Sequence, residues 1–494
     1  MSFTLLSLVI IILLATVSII EIYRGVKRGF MKSLVSLATV VVSALISIIV
    51  SPLITQLIVD GLSINLVSAN GDLYKNLARS LNVVIRAVIS MVASTFVFVV
   101  IFFLVRCALG IVSAIVWKKA LGENKNGNRY GKENSTFLIK NDKKFGAIAG
   151  AVSALIITMV LTSPIMGTLN VVSDTLSAFT ENKIKISGLD KETVESLKKY
   201  SSDLPGNVLY HCGGKLMYGS AASAVLYDER VYLLTEVDTL CDAVENFSVV
   251  YQLMRNPVDA DNHKLKSIDA FCENVEDMKL LKGVLAIGLA NASEAWLNDN
   301  SFLYIKLPPM NRLLDTVFDE IFVACSKTDR ESVSANITTV LQLYKVVIES
   351  DILNVDKNDE TALIDFLDNS DIVKRFDSII EDNPYITGVS ASSIAFSIVV
   401  DKIKSELYDE EKYSVLMDNM AEALNKVNSR EYGSDEEKVE VLTSYAMKYI
   451  KDYGYEISED VAKKTAEELL KSFGKPGVTT NDLRKLFDEV SGAK

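Results

Sequence analysis

Four stretches in the first third of the chain are dominated by apolar residues and carry no charged side chain: 3–20, 33–59, 87–105 and 145–173. Each holds at least 18 residues, long enough for a helix to cross a hydrocarbon core about 30 Å thick. The first stretch lacks a basic leader and a small-residue cleavage site, so it is predicted to be a retained helix. The pattern predicts a four-helix transmembrane bundle over residues 1–175.

The polar and apolar positions change pattern after this region. Over residues 176–494 apolar side chains recur at helical spacing between frequent helix-start signals, and only six prolines interrupt them. One such stripe, expected to be core, comprises Leu314, Val317, Ile321 and Cys325. Strand-like alternation is best at 302–307. We therefore predict an all-α fold in which the bundle is followed by a mainly helical domain, with a subdivision near 308–312 or 384–390.

Capping signals support the helical reading of the second region. Ser434 followed by Glu437 has the spacing of a capping box, and Thr479 precedes the apolar face of a last helix. Between them, a helix is predicted to begin at Ser458 and to end before Gly474.

Charge separates the same two regions. Of the 494 residues, the first 173 include 16 Lys and Arg against 6 Asp and Glu, and the rest include 35 against 57. A mean hydropathy of +0.25 is high for a soluble protein of this charge content. The acidic balance of the second region is interpreted as solvated helix faces that keep it soluble and away from an anionic membrane surface.

The basic residues of the first region predict an orientation. Twelve lie in the first and third polar gaps, at 23–32 and 118–144, and three lie in the second, at 60–86. Cytoplasmic loops are enriched in Lys and Arg, so the N-terminus and the second region are expected outside the cytoplasm. The first gap is interpreted as a topological anchor that meets lipid headgroups through Arg24, Lys27, Arg28 and Lys32.

The residues of that gap resemble a known family. The spacing Arg24-Gly25-x-x-Arg28-Gly29-Phe30, placed directly after a first apolar helix, resembles the colicin V production protein (CvpA) family. The small-residue start of the fourth apolar run, with Gly146, Gly150 and Ala154, resembles the family's fourth helix and is typical of close helix packing in lipid. The resemblance covers roughly residues 3–170. It implies a multi-pass cell-membrane protein of bacteria that acts in toxin or small-protein secretion or in the cell envelope.

Chemistry-bearing motifs are scarce, so no catalytic residue, metal site or cofactor is predicted. His211 and His263 are the two histidines, and the His211-Cys212-Gly213-Gly214 stretch is expected to be a turn with a surface histidine. No zinc, serine-hydrolase or phosphate-loop motif and no basic aromatic patch for nucleic acid is present. The acidic stretches 259–263 and 356–360 lack the Gly and Glu of a calcium loop.

Three hypotheses about function remain open. In the first, the protein is not an enzyme, and the bundle anchors a helical ectodomain that binds a partner in export or envelope function. In the second, the helices oligomerise as a transport or channel component for small-protein or toxin secretion. The third is an enzyme with an unrecognised site. The predicted partners are the lipid bilayer, a membrane or envelope protein and a second copy of the chain, without nucleic acid.

Overall fold

The structure is a computed structural model. Two compact units make up the chain: unit 1 holds Met1–Glu245 and Asp277–Leu281, and unit 2 holds Asn246–Glu276 and Lys282–Lys494. The structure describes residues 3–61, 72–122, 136–182, 190–299, 301–302, 305–306, 310–356, 358–368, 370–406, 410–429 and 434–490.

Unit 1 begins with four long helices: α1 (Phe3–Arg28), α2 (Phe30–Gly61), α3 (Asp72–Gly122) and α4 (Thr136–Glu181). Each includes a segment long and apolar enough to cross a membrane, as predicted; these are Ser7–Arg28, Phe30–Val59, Asn76–Val116 and Asp142–Glu181. The most extensive contacts join α1 to α4, α4 to α2 and α2 to α3. The helices are thus arranged in the order α1, α4, α2, α3.

Small hydroxyl side chains fill much of the space between these helices. On α2 they recur at every fourth position, which places them on one face: Thr39, Ser43, Ser47, Ser51 and Thr55. Several donate to the carbonyl one turn earlier, as Ser47 Oγ does to Ser43 at 2.6 Å and Thr55 Oγ1 to Ser51 at 2.8 Å. Such bonds satisfy a buried hydroxyl without a partner helix. Small residues here let the helix backbones approach closely.

The chain after α4 first forms α5 (Lys191–Asp203), which Asp190 caps by accepting from the Thr193 amide at 2.7 Å. Two short helices follow, α6 (Pro205–Leu209) and α7 (Lys215–Ala221), and a kinked turn at Tyr210–Gly214 joins them, in which Gly213 has non-helical backbone angles. Two strands, β1 (Ser223–Leu226) and β2 (Glu229–Tyr232), then pair antiparallel. Their turn uses Tyr227 and Asp228 at positive φ, the left-handed geometry that matches hairpin twist.

The helix α8 (Leu233–Arg255) contributes its first half to unit 1 and its last ten residues to unit 2. Glu236 near its start is buried and accepts from the amides of Lys279 and Leu280 at 2.8–3.1 Å. These bonds tie the segment Asp277–Leu281 to unit 1.

Unit 2 is built from short helices around one large apolar core. After α8 the elements are α9 (Asn262–Asp277), α10 (Lys282–Asp299), β3 (Ser301–Phe302), β4 (Ile305–Lys306), α11 (Arg312–Cys325), α12 (Val333–Glu349), α13 (Glu360–Asp368), α14 (Ile372–Glu381), α15 (Ala391–Glu406), α16 (Glu410–Asn428), α17 (Asp435–Asp452), α18 (Glu459–Ser472) and α19 (Thr480–Val490). Single 3-10 turns lie at Pro257–Asp259 and Ile352–Asn354.

The helix-start predictions in unit 2 are confirmed. The Ser434 and Ser458 hydroxyls accept from the amides of Glu437 and Val461, at 3.2 and 3.3 Å. Thr479 and Asp482 cap each other reciprocally at the start of α19. The predicted stripe of α11 is buried core: Leu314, Val317, Ile321 and Cys325. The described part of the chain is predominantly helical, with two small hairpins as additions to the all-α prediction.

Candidate functional site: the basic turn and the inserted segment

The predicted basic gap is much shorter than expected. Gly29 alone separates α1 from α2, and its φ of +75° is the left-handed geometry that ends α1. Of the predicted anchor residues, Arg24, Lys27 and Arg28 therefore lie in the last turns of α1, and Lys32 lies in the first turn of α2. All four side chains are exposed. The gap is a helix–helix corner, because both apolar runs continue as helix through the charged residues.

The glycines at this corner bring α1 and α4 together. A Cβ atom on Gly25 would collide with the carbonyl of Gly146, and one on Gly146 would collide with the carbonyl of Gly25. A Cβ on Gly150 would lie 2.5 Å from the carbonyl oxygen of Glu21. Ala154, one turn further along α4, is 3% exposed. Two of the three predicted packing residues, Gly146 and Gly150, thus contact α1 of the same chain.

An acidic residue of α4 holds the corner. The Asp142 carboxylate accepts from the Phe30 amide at 2.7 Å, so it caps the start of α2 from another helix. The ring of Phe30 packs on that of Phe145, with centroids 5.7 Å apart. The predicted family residues Gly25, Gly29 and Phe30 are therefore joined to α4, and a Cβ on Gly29 would collide with the Asp142 carboxylate.

Glu21 is a buried carboxylate that the sequence reasoning passed over. Its side chain is 6% exposed and lies 2.9 Å from the Arg106 guanidinium and 3.0 Å from that of Arg24. Arg106 thereby bridges α3 to α1. The available signal was that Glu21 is the one acidic residue among the first 59. A buried carboxylate beside an apolar run requires a cation.

Residues 205–232 form what we name the inserted segment, because they pack among the four long helices. Within unit 1, α6 contacts α1 and α4, α7 contacts α2, α3 and α4, and β1 contacts α2 and α3. The predicted turn at His211-Cys212-Gly213-Gly214 is a kink between α6 and α7, because Gly213 leaves the helical region (φ 164°, ψ −17°), and His211 is exposed as expected.

The inserted segment reaches the middle of the apolar helices. Ala221 has no exposed surface and lies in one cluster with side chains near the midpoints of α2, α3 and α4, namely Val40, Ala44, Phe98, Phe102, Ile157 and Val160. The Ser94 hydroxyl of α3 bonds to the Ala221 carbonyl. A carbonyl at the end of α7 is thereby satisfied inside the bundle.

Arg230 attaches the β1–β2 hairpin to α2, close to the midpoint of that helix. Pro52 lacks an amide hydrogen, so the carbonyl of Ile48 loses its helical partner. The Arg230 guanidinium donates to that carbonyl at 3.0 Å and to the Ser223 hydroxyl at 3.1 Å. It also lies 5.4 Å from the centroid of the Tyr232 ring. An arginine among apolar helices is thus paired with the acceptor that a proline leaves open.

Glycines of α4 and of the inserted segment allow this close fit. The Tyr218 ring occupies the space that a Cβ on Gly167 would need, and its hydroxyl lies 3.3 Å from that of Thr168. A Cβ on Gly206 would lie 3.1 Å from Met166, and one on Gly213 would lie 3.2 Å from the Met159 sulfur. A Cβ atom at any of these three glycines would therefore press on a neighbouring side chain.

One face of the inserted segment remains exposed. Val208 and Leu216 are 69% and 75% exposed, and His211, Cys212 and Lys215 lie on the same side. The Asp174 carboxylate of α4 interacts electrostatically with His211 and Lys215. The face therefore combines two large apolar side chains with charged groups.

The cysteines and acidic stretches do not assemble a chemical centre within the described residues. All five thiols are free, and burial raises the pKa of Cys241 and Cys272 to about 11 and of Cys325 to about 12. Within the described ranges no group of three His, Cys, Asp or Glu side chains could hold a metal ion. In the two acidic stretches, Asp261 and Asp359 instead accept from backbone amides at helix starts.

Fold and site together define a mainly helical protein with four helices long and apolar enough to cross a membrane, and with an inserted segment between them. No protein-family model matches the chain, and neither curated proteins nor solved structures give a match.

Proposed function

We propose that the chain is an integral membrane protein without enzymatic activity. In this proposal α1–α4 cross the cell membrane as a bundle that anchors unit 2 outside the cytoplasm, where it binds a protein partner in export or envelope function. The four long apolar helices support the membrane role. The distribution of basic residues supports the placement of unit 2 outside the cytoplasm, and the resemblance to the colicin V production family supports the role in export or the envelope.

The proposal depends mainly on which surfaces expose large apolar side chains. Among the described residues, 32 large apolar side chains are exposed on α1–α4, and six are exposed in unit 2. Soluble monomers rarely leave large contiguous apolar patches in water. The interior of the bundle holds hydroxyl residues such as Ser43, Ser47 and Ser94, each without exposed surface. Apolar side chains outside and small polar ones inside are what a lipid solvent favours.

The membrane part is tested by extraction. Membranes from cells that produce the full chain are washed with alkaline carbonate and then dissolved in detergent. We expect the chain to stay in the pellet after carbonate and to be released by detergent. Release by carbonate would overturn the proposal, because a surface-bound protein would then account for the exposed apolar residues.

A second candidate function is a transport or channel component. The observation that favours it is the helix interruption at Tyr210–Gly214 inside the bundle, since interrupted helices form binding sites in many transporters. Proteoliposomes that contain the full chain separate the two candidates. The anchor proposal expects them to hold an ion gradient as empty liposomes do. An ion leak that Arg230→Met alters would favour transport.

A further inference from the structure

We propose that the inserted segment is re-entrant. It enters the outer half of the bilayer between α1 and α3 and reaches mid-depth near Ala221, the chain leaves on the same side through α8, and the exposed apolar side chains of its outer face contact lipid acyl chains. This inference rests on the proposed membrane role of α1–α4. It adds a lipid-contact surface that the hydropathy of the chain does not indicate.

The chain is deepest near the end of α7 and returns from there. Leu204, before the segment, lies in a buried cluster with side chains from the second half of α4, and Ala221 packs with side chains near the midpoints of three long helices. The Leu233 amide donates to the carbonyl of the residue after Ala221, so α8 begins near the same depth. Further along α8, Asp238 interacts electrostatically with Asp174 near the end of α4, so the chain returns through α8 rather than crossing.

The position between α1 and α3 places the segment at the perimeter of the bundle. The cluster that holds Tyr210 and Tyr218 includes Ile10 from α1 and Met91 from α3. In the half near the basic corner, α1 and α3 are joined by the Glu21–Arg106 ion pair. In the other half the segment occupies the space between them, so its outer face has the same surroundings as the outer faces of α1 and α3.

The outer face carries both apolar and polar side chains. Val208, Cys212 and Leu216 are exposed there, and so are His211 and Lys215. Lys215 and His211 interact with Asp174, which lies two turns before the end of α4. A lysine deep in hydrocarbon is unfavourable, but a long side chain reaches the headgroup level. Lys215 therefore extends toward the headgroups, and Val208 and Leu216 face acyl chains.

Backbone polar groups of the inserted segment are hydrogen-bonded within the protein. Irregular backbone is tolerated within a membrane only where protein or water satisfies its polar groups. The amide of Leu233 donates to the Ala222 carbonyl at 2.8 Å, the hairpin strands pair with each other, and Ser94 satisfies Ala221. At the kink between α6 and α7, the Lys215 amide donates to the Tyr210 carbonyl.

The test measures what surrounds single residues of the full chain in lipid nanodiscs. The five native cysteines are replaced by serine or alanine, and a nitroxide spin label is attached at Leu216→Cys. Its collision rates with oxygen, which concentrates in lipid, and with a water-soluble nickel chelate are then compared. Leu45→Cys, 58% exposed on α2, is the lipid reference, and Lys471→Cys, 70% exposed in unit 2, is the water reference.

We expect the label at residue 216 to match the lipid reference. Chelate contact at 216 equal to the water reference would overturn the inference and indicate an aqueous cavity. Low collision with both reagents would also overturn it, and would indicate a second copy or another protein over this face. If the Leu45 label itself met water, the proposed membrane role would fail, which is a separate outcome.

Discussion

The two units of this chain use the same helical building blocks with opposite arrangements of polarity. In unit 1 the exposed faces of the long helices are apolar, and buried hydroxyls such as Ser43 and Ser94 lie inside. In unit 2 aromatic side chains such as Phe318, Phe322 and Trp296 form the core, and charged residues such as Lys471 are exposed. This difference is what the proposed function requires, with lipid around the long helices of unit 1 and water around unit 2.

The two units also differ in how they hold helices together. Unit 2 relies on large side chains, as where the rings of Trp296 and Phe322 lie 5.1 Å apart. The corner of unit 1 relies on backbone contact between α1 and α4 at Gly25, Gly146 and Gly150. Burial of apolar area gives no driving force between helices in lipid, so close approach matters more there.

The largest expected effect follows from those glycines. Gly150→Leu puts a side chain against the backbone of Glu21, which cannot yield as a flexible side chain would. We expect a loss of at least about 3 kcal/mol in the free energy of unfolding, the upper end for overpacking. Reversible unfolding in detergent micelles measures it. Gly110→Leu is the matched control, because nothing lies within 4 Å of a Cβ there, and an equal loss in both variants would contradict this account of the corner.

Introducing a carboxylate at an exposed apolar position should have a larger effect in unit 1 than in unit 2. Leu45→Asp places a carboxylate near the middle of α2 on its exposed face. At that position in a membrane it is expected to cost about 3 kcal/mol, seen as less protein in the membrane fraction. Val415→Asp, at a 47% exposed position of α16, should change unfolding by less than about 0.5 kcal/mol. Similar effects at the two positions would contradict the proposal that lipid surrounds the long helices and water surrounds unit 2.

The bond between Arg230 and Ile48 offers a smaller and more specific test. Arg230→Met removes the donor to the partly buried Ile48 carbonyl, and the loss of such a partner costs about 1–3 kcal/mol. Pro52→Ala supplies an amide hydrogen to that carbonyl, so it should reduce the cost of Arg230→Met. A double-mutant cycle on unfolding measures the coupling. Purely additive effects would show that the arginine does not act through the carbonyl that Pro52 leaves open.

The smallest expected effect lies at a helix start in unit 2. Ser458→Ala removes the acceptor for the Val461 amide and should cost about 1 kcal/mol. Ser444→Ala, whose exposed hydroxyl bonds within α17 to Glu440, should stay within about 0.5 kcal/mol. Thermal unfolding of the two variants side by side provides the comparison. Equal stability would mean that the cap contributes nothing measurable.

Local signals in the sequence predicted much of this architecture. Uncharged runs indicated the four long helices, and Ser434, Ser458 and Thr479 marked helix starts, because capping and hydropathy act within one or two turns of chain. The Gly and Ala residues at 146, 150 and 154 were singled out for packing, but their partner helix was not identified. A short motif does not state which distant backbone it will meet.

These local signals do not predict the position of the inserted segment. Residues 205–222 are less apolar than a spanning helix and contain His211 and Lys215, so they were interpreted as part of a soluble domain. Their position depends on contacts far apart in sequence, such as Tyr218 with Gly167 and Arg230 with Ile48. The serine and threonine repeat of α2 was a usable signal, since residues at every fourth position share one helix face.

The central claim is that unit 1 crosses a membrane and leaves unit 2 outside. The most direct measurement is labelling of single cysteines in intact cells with a membrane-impermeant maleimide, after replacement of the five native cysteines. Lys471→Cys reports on unit 2, and Lys27→Cys reports on the basic corner; both positions are exposed. The account predicts that Lys471→Cys reacts before lysis and Lys27→Cys only after it. Labelling of both positions on the same side, or the reverse order, would contradict the account.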